Sequence, residues 1–310
     1  MDKSCCTPGR EPAGIPLTLD QRHAPRPAEP RHKRMVRLPG GSFLMGTEDE
    51  VGYRADGEGP VREIELRPFR IETTTVTNAQ FATFAKATGY VTEAEDFGFS
   101  FVFEGFLSPN NARLSQVVPA APWWRSVPGA FWRRPEGPGS SITSRQNHPV
   151  VHVSWNDAQA YCRWSGTRLP TEAEWEFAAR GGLEQRRYPW GDELTPGGRH
   201  LCNVWQGDFP TLNTGAHQGT ASAKSYRPNG YGLYNVVGNV WEWCADWFSA
   251  GFHRTGPREN PSGPPEGTAR VMRGGSHMCH ESYCNRYRVA ARSSNTPDSS
   301  AGNIGFRVAG

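Results

Sequence analysis

Glycine and proline recur so often along this chain that long helices and strands have little room to form. The 310 residues include 35 glycines and 26 prolines with no repeating period. Glycine eases turns that other residues resist, and proline removes a backbone donor. Large rings are also abundant, with 11 tryptophans and 15 phenylalanines, which is typical of a packed core rather than of a disordered chain. The sequence predicts a loop-rich fold with aromatic side chains between short elements, and no long regular element beyond residue 183.

The charge and hydropathy of the chain exclude several classes of partner. The net charge is only +3, which favours neither nucleic acid nor a membrane surface. No segment approaches the roughly 20 apolar residues that span a bilayer, and the N-terminus has no apolar run of the kind found in signal peptides. We expect a cytoplasmic, monomeric protein whose seven cysteines are free thiols or metal ligands.

The composition along the chain divides it into a short N-terminal tail and one long domain. Residues 1–34 are polar and rich in proline and arginine, which predicts a disordered tail, and residues 35–310 are expected to form a single domain. Two apolar runs beside Pro39-Gly40-Gly41 predict a hairpin at its start. Residues 92–150 are aromatic but have no readable period, so we expect them to be irregular.

Three helices are predicted by capping boxes, in which a side chain and a backbone amide at the helix start bond each other reciprocally. They begin at Thr77, Ser154 and Thr171, and they are expected to end at Gly89, Gly166 and Gly181. Helical spacing places Cys162 on the apolar face of the second helix, which makes it a core cysteine.

The segment 273–288 carries the residues best suited to chemistry. Cys279 and Cys284 are five positions apart, so on a regular helix or strand they would diverge. They converge only if the backbone between them turns, and two thiolates then suit Cu(I), zinc or a disulfide. Two thiolates are too few for a structural zinc site. The spacing alone leaves open a disulfide, two unrelated buried cysteines, or His277 and His280 as ligands.

The surrounding residues resemble the formylglycine-generating enzymes. The resemblance covers residues 35–310 and is carried by Arg273-Gly-Gly-Ser276 before C-x4-C, by residues 290–300, and by Asn303-Ile-Gly-Phe-Arg307. Further matches, shared with the wider sulfatase-modifying superfamily, lie at 168–176, 188–191, 229–235 and 238–243. The resemblance implies an α+β fold of the modified C-type-lectin-like kind, with little regular structure.

The resemblance also implies an activity and its residues. Cys279 and Cys284 would bind Cu(I), and with O2 and a thiol reductant the enzyme would convert the cysteine of a Cys-x-Pro-x-Arg motif to formylglycine in an unfolded or nascent sulfatase. Ser276 and Tyr283 would position water or oxygen species, Trp241 would line an oxygen pocket, and Asn303 would lie near the substrate groove. Each of these four residues could instead be structural.

Calcium is a second implied ion. Side-chain and carbonyl oxygens of Asn235, Gly238, Val240 and Glu242 would form a donor set of the kind calcium prefers, although a capped turn with Glu242 in a salt bridge is the alternative. Asn203 and Val204 would begin a second site. Its later stretch, residues 213–220, lacks the expected aspartate, so this second calcium is doubtful.

Two other functions compete with this interpretation. One is an iron enzyme resembling sulfoxide synthases, which usually carry an extra N-terminal helix bundle, and the other is a non-catalytic lectin-like binding module. The tail adds a separate hypothesis, because Cys6-Thr7-Pro8-Gly9-Arg10 itself reads Cys-x-Pro-x-Arg. It is either a coincidence, or a substrate or competitive ligand of the chain's own site.

Overall fold

The structure is a computed structural model that describes residues 7–10 and 34–310. Its helices are α1 (Asn78–Thr88), α2 (Glu93–Asp96), α3 (Pro109–Leu114), α4 (Trp155–Ser165), α5 (Glu172–Arg180) and α6 (Phe252–Thr255). Its strands are β1 (Met35–Leu38), β2 (Gly41–Met45), β3 (Arg62–Leu66), β4 (Phe69–Glu72), β5 (Phe99–Phe103), β6 (Gln116–Val117), β7 (Trp124–Pro128), β8 (Trp241–Trp247), β9 (Arg270–Arg273), β10 (Arg292–Asn295) and β11 (Ile304–Gly305). The α+β class and the low content of regular structure are therefore confirmed.

The three predicted capping boxes form as expected at the starts of α1, α4 and α5. Thr77, Ser154 and Thr171 each accept from the backbone amide three residues on, and the side chain there returns the bond. Each of these helices ends at a glycine in the left-handed region, at the predicted positions 89, 166 and 181. Cys162 is buried on α4, as its spacing predicted.

The predicted hairpin at Pro39-Gly40-Gly41 is wrong. β1 pairs with β4, with Leu38 opposite Phe69, and β2 pairs with β3, with Gly41 opposite Leu66. The chain therefore bends at Gly40 and continues along the same partner segment instead of reversing. Gly40 has φ +67, and a Cβ there would lie 2.3 Å from the Leu66 carbonyl oxygen, so the glycine permits a close crossing of two strands.

The interpretation of residues 92–150 as irregular is also wrong. This stretch contains a three-stranded antiparallel sheet in the order β5-β7-β6. Four of the five residues in β5 are buried, because the strand is covered on both faces. A strand covered on both faces has no alternation of polar and apolar residues, and the period-2 signal was therefore missing.

A four-stranded sheet in the order β10-β9-β8-β11 carries the functional segment. β8 is antiparallel to β9 and parallel to β11, and β9 is antiparallel to β10. The chain leaves β9 at Arg273, passes through the cysteine segment and returns in β10. A large aromatic core packs around this sheet, including the buried Trp175, Trp241 and Trp243. Within the described residues, no helix is long and apolar enough to cross a membrane.

Candidate active site

The two cysteines of the C-x4-C pattern meet in the core. Backbone amides of Tyr283 and Cys284 both donate to the His280 carbonyl, at 3.1 and 2.8 Å, and this turn folds the chain back on itself. The sulfur atoms of Cys279 and Cys284 then lie 3.2 Å apart without a disulfide, and both residues are buried. The turn that the spacing required is confirmed, and a pair of adjacent soft donors results.

Burial and Ser276 shift the pKa of the Cys279 thiol in opposite directions. Burial raises the pKa of the Cys279 thiol well above its usual value, and the neighbouring Cys284 raises it further. The amide and hydroxyl of Ser276 oppose this rise, and the Ser276 amide lies 3.4 Å from Cys279 Sγ. Burial therefore favours the thiol form of Cys279 unless a cation compensates the charge of the thiolate, as metal binding does.

A chain of hydrogen bonds joins Ser276 to two other predicted residues. The Ser276 hydroxyl oxygen accepts from the Asn303 side-chain amide at 3.0 Å and from the Met278 backbone amide at 3.2 Å. The Asn303 carbonyl in turn accepts from the Trp241 backbone amide at 2.8 Å. All three residues are fully buried. The structure thus brings Ser276, Asn303 and Trp241 together with the cysteine pair.

Tyr283 lies on the partly exposed side of the turn. Its hydroxyl donates to the Met278 carbonyl, which closes the loop around the pair. Its ring stacks on Phe209 at 4.0 Å and meets Trp123 edge-on at 5.5 Å. The sequence offered no signal for Phe209, because it lies in an irregular stretch far from the pair along the chain.

The loop that carries the cysteines, residues 276–285, is bounded by buried ion pairs that we call the arginine frame. Its members pair at 2.5–2.9 Å: Arg273 with Glu172 and Glu176, Arg286 with Asp56, Arg288 with Glu58, Arg292 with Glu172, and Arg307 with Glu242. Arginine forks match carboxylates in two-point contacts that fix orientation. The frame therefore holds both ends of the loop in place.

The residues predicted to bind calcium follow one another along the chain, from the turn before β8 into the start of that strand. Asn235 has φ +48, and its side-chain oxygen is buried without a hydrogen bond to any described residue. Gly238 has φ +72, and a Cβ there would lie 2.5 Å from the Asn203 carbonyl oxygen. Val240 and Glu242 are buried at the start of β8. An orphaned buried oxygen is the observation that fits a hard cation here.

Glu242 is at the same time part of the arginine frame. Its Oε2 accepts from Trp175 Nε1 at 2.8 Å and Arg307 Nε at 2.6 Å, and its Oε1 accepts from Arg307 at 2.7 Å. The salt bridge that the sequence left as an alternative is thus present. The calcium site stays a prediction, in which Glu242 would serve both partners.

Asn203, the first residue of the doubtful second calcium site, makes structural hydrogen bonds. The Asn203 amide donates to the Gly219 carbonyl at 2.8 Å and to the Asn239 side-chain oxygen at 3.1 Å. Val204 follows it, directly before Trp205, whose amide donates to the Cys279 carbonyl at 3.0 Å. The side chain of Asn203 therefore connects the segments that contain Gly219 and Asn239.

Comparison with known proteins points to one family. The sulfatase-modifying factor enzyme 1-like domain matches residues 21–310. The formylglycine-generating enzyme of Thermomonospora curvata is 64% identical over 282 residues, covering 89% of this chain and 93% of that protein. The formylglycine-generating enzyme of Mus musculus is 58% identical over 279 residues, covering 89% and 74%.

Solved structures agree on the fold. The structure of PvdO from Pseudomonas aeruginosa superimposes with a TM-score of 0.65 at 25% identity, covering 89% of this chain and 93% of that one. With the match over nearly the whole chain, this chain belongs to the sulfatase-modifying factor enzyme 1-like family, together with the formylglycine-generating enzymes.

Proposed function

We propose that this protein is a formylglycine-generating oxidase that activates sulfatases. Its substrate would be the cysteine of a Cys-x-Pro-x-Arg motif in an unfolded or nascent sulfatase. In the overall reaction, the thiol-bearing methylene group of that cysteine, O2, two electrons and two protons give an aldehyde, hydrogen sulfide and water. A thiol reductant supplies the two electrons. Support comes from the 64% identity to a formylglycine-generating enzyme.

The observation that carries the proposal is the buried pair of unbridged cysteines, 3.2 Å apart. Two soft donors in a dry site suit Cu(I), and two protein ligands leave coordination positions for further donors. When bound, copper would supply the redox chemistry with O2.

The protein's own groups would prepare this site. The Ser276 amide and hydroxyl favour the thiolate form of Cys279, which is the form that binds a metal. Asn303 holds the Ser276 hydroxyl in position, and the buried Trp241 would line an oxygen pocket on the inner side. Tyr283, partly exposed beside Phe209 and Trp123, would face an arriving peptide.

The test replaces one donor of the pair at a time. Cys279→Ser and Cys284→Ser should each abolish conversion of a Cys-x-Pro-x-Arg peptide and lower Cu(I) affinity, because half of the ligand set is lost. Cys162→Ser is the matched control, since Cys162 is another buried free cysteine outside the site, and it should retain both properties. Peptide mass spectrometry and competition for Cu(I) with a chromogenic chelator give the two readouts. Substantial turnover by either mutant in copper-replete, aerobic buffer would refute the proposal.

A further inference from the structure

Four residues of the N-terminal tail are seated on the domain. Thr7, Pro8 and Arg10 are buried, and Gly9 is exposed. These four are the x-Pro-x-Arg part of the tail's Cys-x-Pro-x-Arg sequence. Cys6 itself lies outside the described residues. The prediction that this cysteine is modified therefore also concerns a residue outside the described part of the chain.

Arg10 fills a pocket lined by aromatic rings and backbone carbonyls. Its guanidinium carbon lies 4.1 Å from the ring centre of Phe97 and 4.2 Å from that of Phe99, distances typical of cation–π contact. Its Nε donates to the Asp298 carbonyl at 3.1 Å, and a terminal nitrogen donates to the Phe99 carbonyl at 2.9 Å and to Ser300 Oγ at 3.4 Å. The pocket therefore matches the flat shape of an arginine and accepts from its Nε and one terminal nitrogen, while the other terminal nitrogen is buried without a partner among the described residues.

The charged groups around the pocket also favour an arginine side chain. Burial lowers the pKa of Arg10 to about 10, while the acidic groups of Asp298, Glu93 and Asp157 oppose that shift. Arg10 thus remains a cation at neutral pH. A lysine would lack the fork that reaches two carbonyls and a hydroxyl at once.

The backbone before Arg10 is also held. The Asn295 side-chain amide donates to the Pro8 carbonyl at 3.1 Å and to the Thr7 hydroxyl at 3.3 Å, and the Arg10 amide donates to Ser299 Oγ at 2.9 Å. A Cβ on Gly9 would lie 2.7 Å from the Asn295 side-chain oxygen, so the chain approaches this residue closely. The surface that binds residues 7–10, formed by Phe97, Phe99, Asn295 and residues 298–300, is called the seat. It contacts all four residues of the tail and not only Arg10.

The seat belongs to the segment that also supports the cysteine pair. Residues 295–300 contact the tail, and three positions later Asn303 bonds Ser276 beside Cys279. A peptide bound to this segment would therefore be held next to the proposed reaction centre.

We propose that residues 7–10 are an intramolecular ligand of the client-binding groove, which a Cys-x-Pro-x-Arg client must displace. The identification of the competing peptide as a Cys-x-Pro-x-Arg client rests on the proposed function. The tail is covalently joined to the domain through residues 11–33, so its binding is intramolecular, which raises its effective concentration at the groove. Even a weak tail interaction would then compete strongly with a dilute client.

The first experiment compares the full chain with a form that lacks residues 1–12. Removal of the tail should lower the KM for a client peptide by about tenfold or more and leave kcat unchanged, because the ligand competes only for binding. Arg10→Ala in the full chain should lower KM in the same direction. Arg22→Ala is the matched control, since it removes an arginine of the same tail outside the motif, and its KM should equal that of the unaltered chain. An unchanged KM after truncation overturns the proposal, and so does a loss of thermal stability with no change in KM, which indicates a structural strap.

A second experiment measures binding without turnover. A fluorescent peptide of residues 1–12, with Cys5 and Cys6 replaced by serine, is titrated into copper-free protein lacking residues 1–12. We expect saturable binding, at least tenfold weaker binding of the Arg10→Ala peptide, and much weaker binding of the unaltered peptide to the full chain, whose own tail occupies the groove. No binding to the truncated protein overturns the inference. Binding of the peptide by a protein that converts no client would instead contradict the proposed function and leave the seat intact.

Discussion

The arginine frame and the cysteine pair are both buried, but they handle charge in opposite ways. In the frame each buried cation meets a carboxylate, as with Arg273 against Glu172 and Glu176. At the pair, burial raises the pKa of the Cys279 thiol, and two residues away burial lowers the pKa of His277 to about 4, so burial disfavours the charged form of both groups. Charge that is paired gives rigidity, whereas a dry neutral pocket leaves its donors available to an incoming cation. The difference separates the residues that build the site from those that react.

Breaking the frame should have the largest effect on stability. Glu176 accepts from Arg180, Arg273 and the Gly46 amide, and Glu176→Gln would leave buried cations with one carboxylate fewer. Loss of one partner from a buried pair costs about 3–5 kcal/mol, so we expect a fall of that size in the free energy of unfolding, measured by urea denaturation.

An exposed ion pair provides the control for that variant. Arg186 and Asp192 form a bridge at 2.6 Å with more than half of each side chain exposed, and Asp192→Asn should change stability by less than about 0.5 kcal/mol. If the two variants cost the same, burial does not distinguish the frame from a surface pair.

The frame also shows where sequence reasoning reaches its limit. Capping boxes were predicted correctly because both of their partners lie within three residues of each other. The carboxylates of Asp56 and Glu58 bond Arg286 and Arg288 across about 230 residues, and no local pattern indicates such a pairing. The hairpin prediction failed for the same reason, since the true partners of β1 and β2 lie further along the chain.

The candidate site was more accessible to sequence reasoning than the fold around it. Its main residues fall within one stretch of chain, so the required turn between Cys279 and Cys284 could be deduced from their spacing. Phe209 and the seat of Arg10 could not, because they depend on which distant segments meet. Residues 99–103 were missed as a strand because burial on both faces removes the alternating pattern.

Acid should affect the loop through His277. Its pKa in the folded state is about 4, lowered by burial, against about 6.5 when unfolded. Between these values the unfolded chain binds more protons, so this contribution to stability is present above pH 6.5 and is lost as the pH falls towards 4. The loss attributable to His277 should reach about 3 kcal/mol at pH 4.

The measurement is urea unfolding of copper-free protein at pH 7, 5.5 and 4, for the unaltered chain and for His277→Gln. Because glutamine does not titrate, the stability difference between the two should shift in favour of the variant as the pH falls. His217→Gln, in a loop that is less buried, is the control for the replacement of a histidine by glutamine. Parallel pH profiles for His277→Gln and the unaltered chain would mean that the loop does not depend on a neutral His277.

The calcium site provides the test with the smallest expected effect on stability. It is selective because Glu242 belongs to the arginine frame, while the turn before β8 holds a buried oxygen without a described partner. We propose that Asn235, Gly238, Val240 and Glu242 hold the ion, with Asn235 Oδ1, buried and without a described partner, as the oxygen that gains most. A ligand that binds only the folded state stabilises it by about 2.7 kcal/mol at a concentration 100 times its Kd. Added calcium should therefore raise the unfolding midpoint of chelator-treated protein, and Asn235→Gly should abolish that rise while keeping the positive φ of this position. Asn260→Gly is the matched control, since Asn260 also has a positive φ, +44, and bonds the Arg67 amide instead. An equal calcium response in all three proteins would show that Asn235 does not hold the ion.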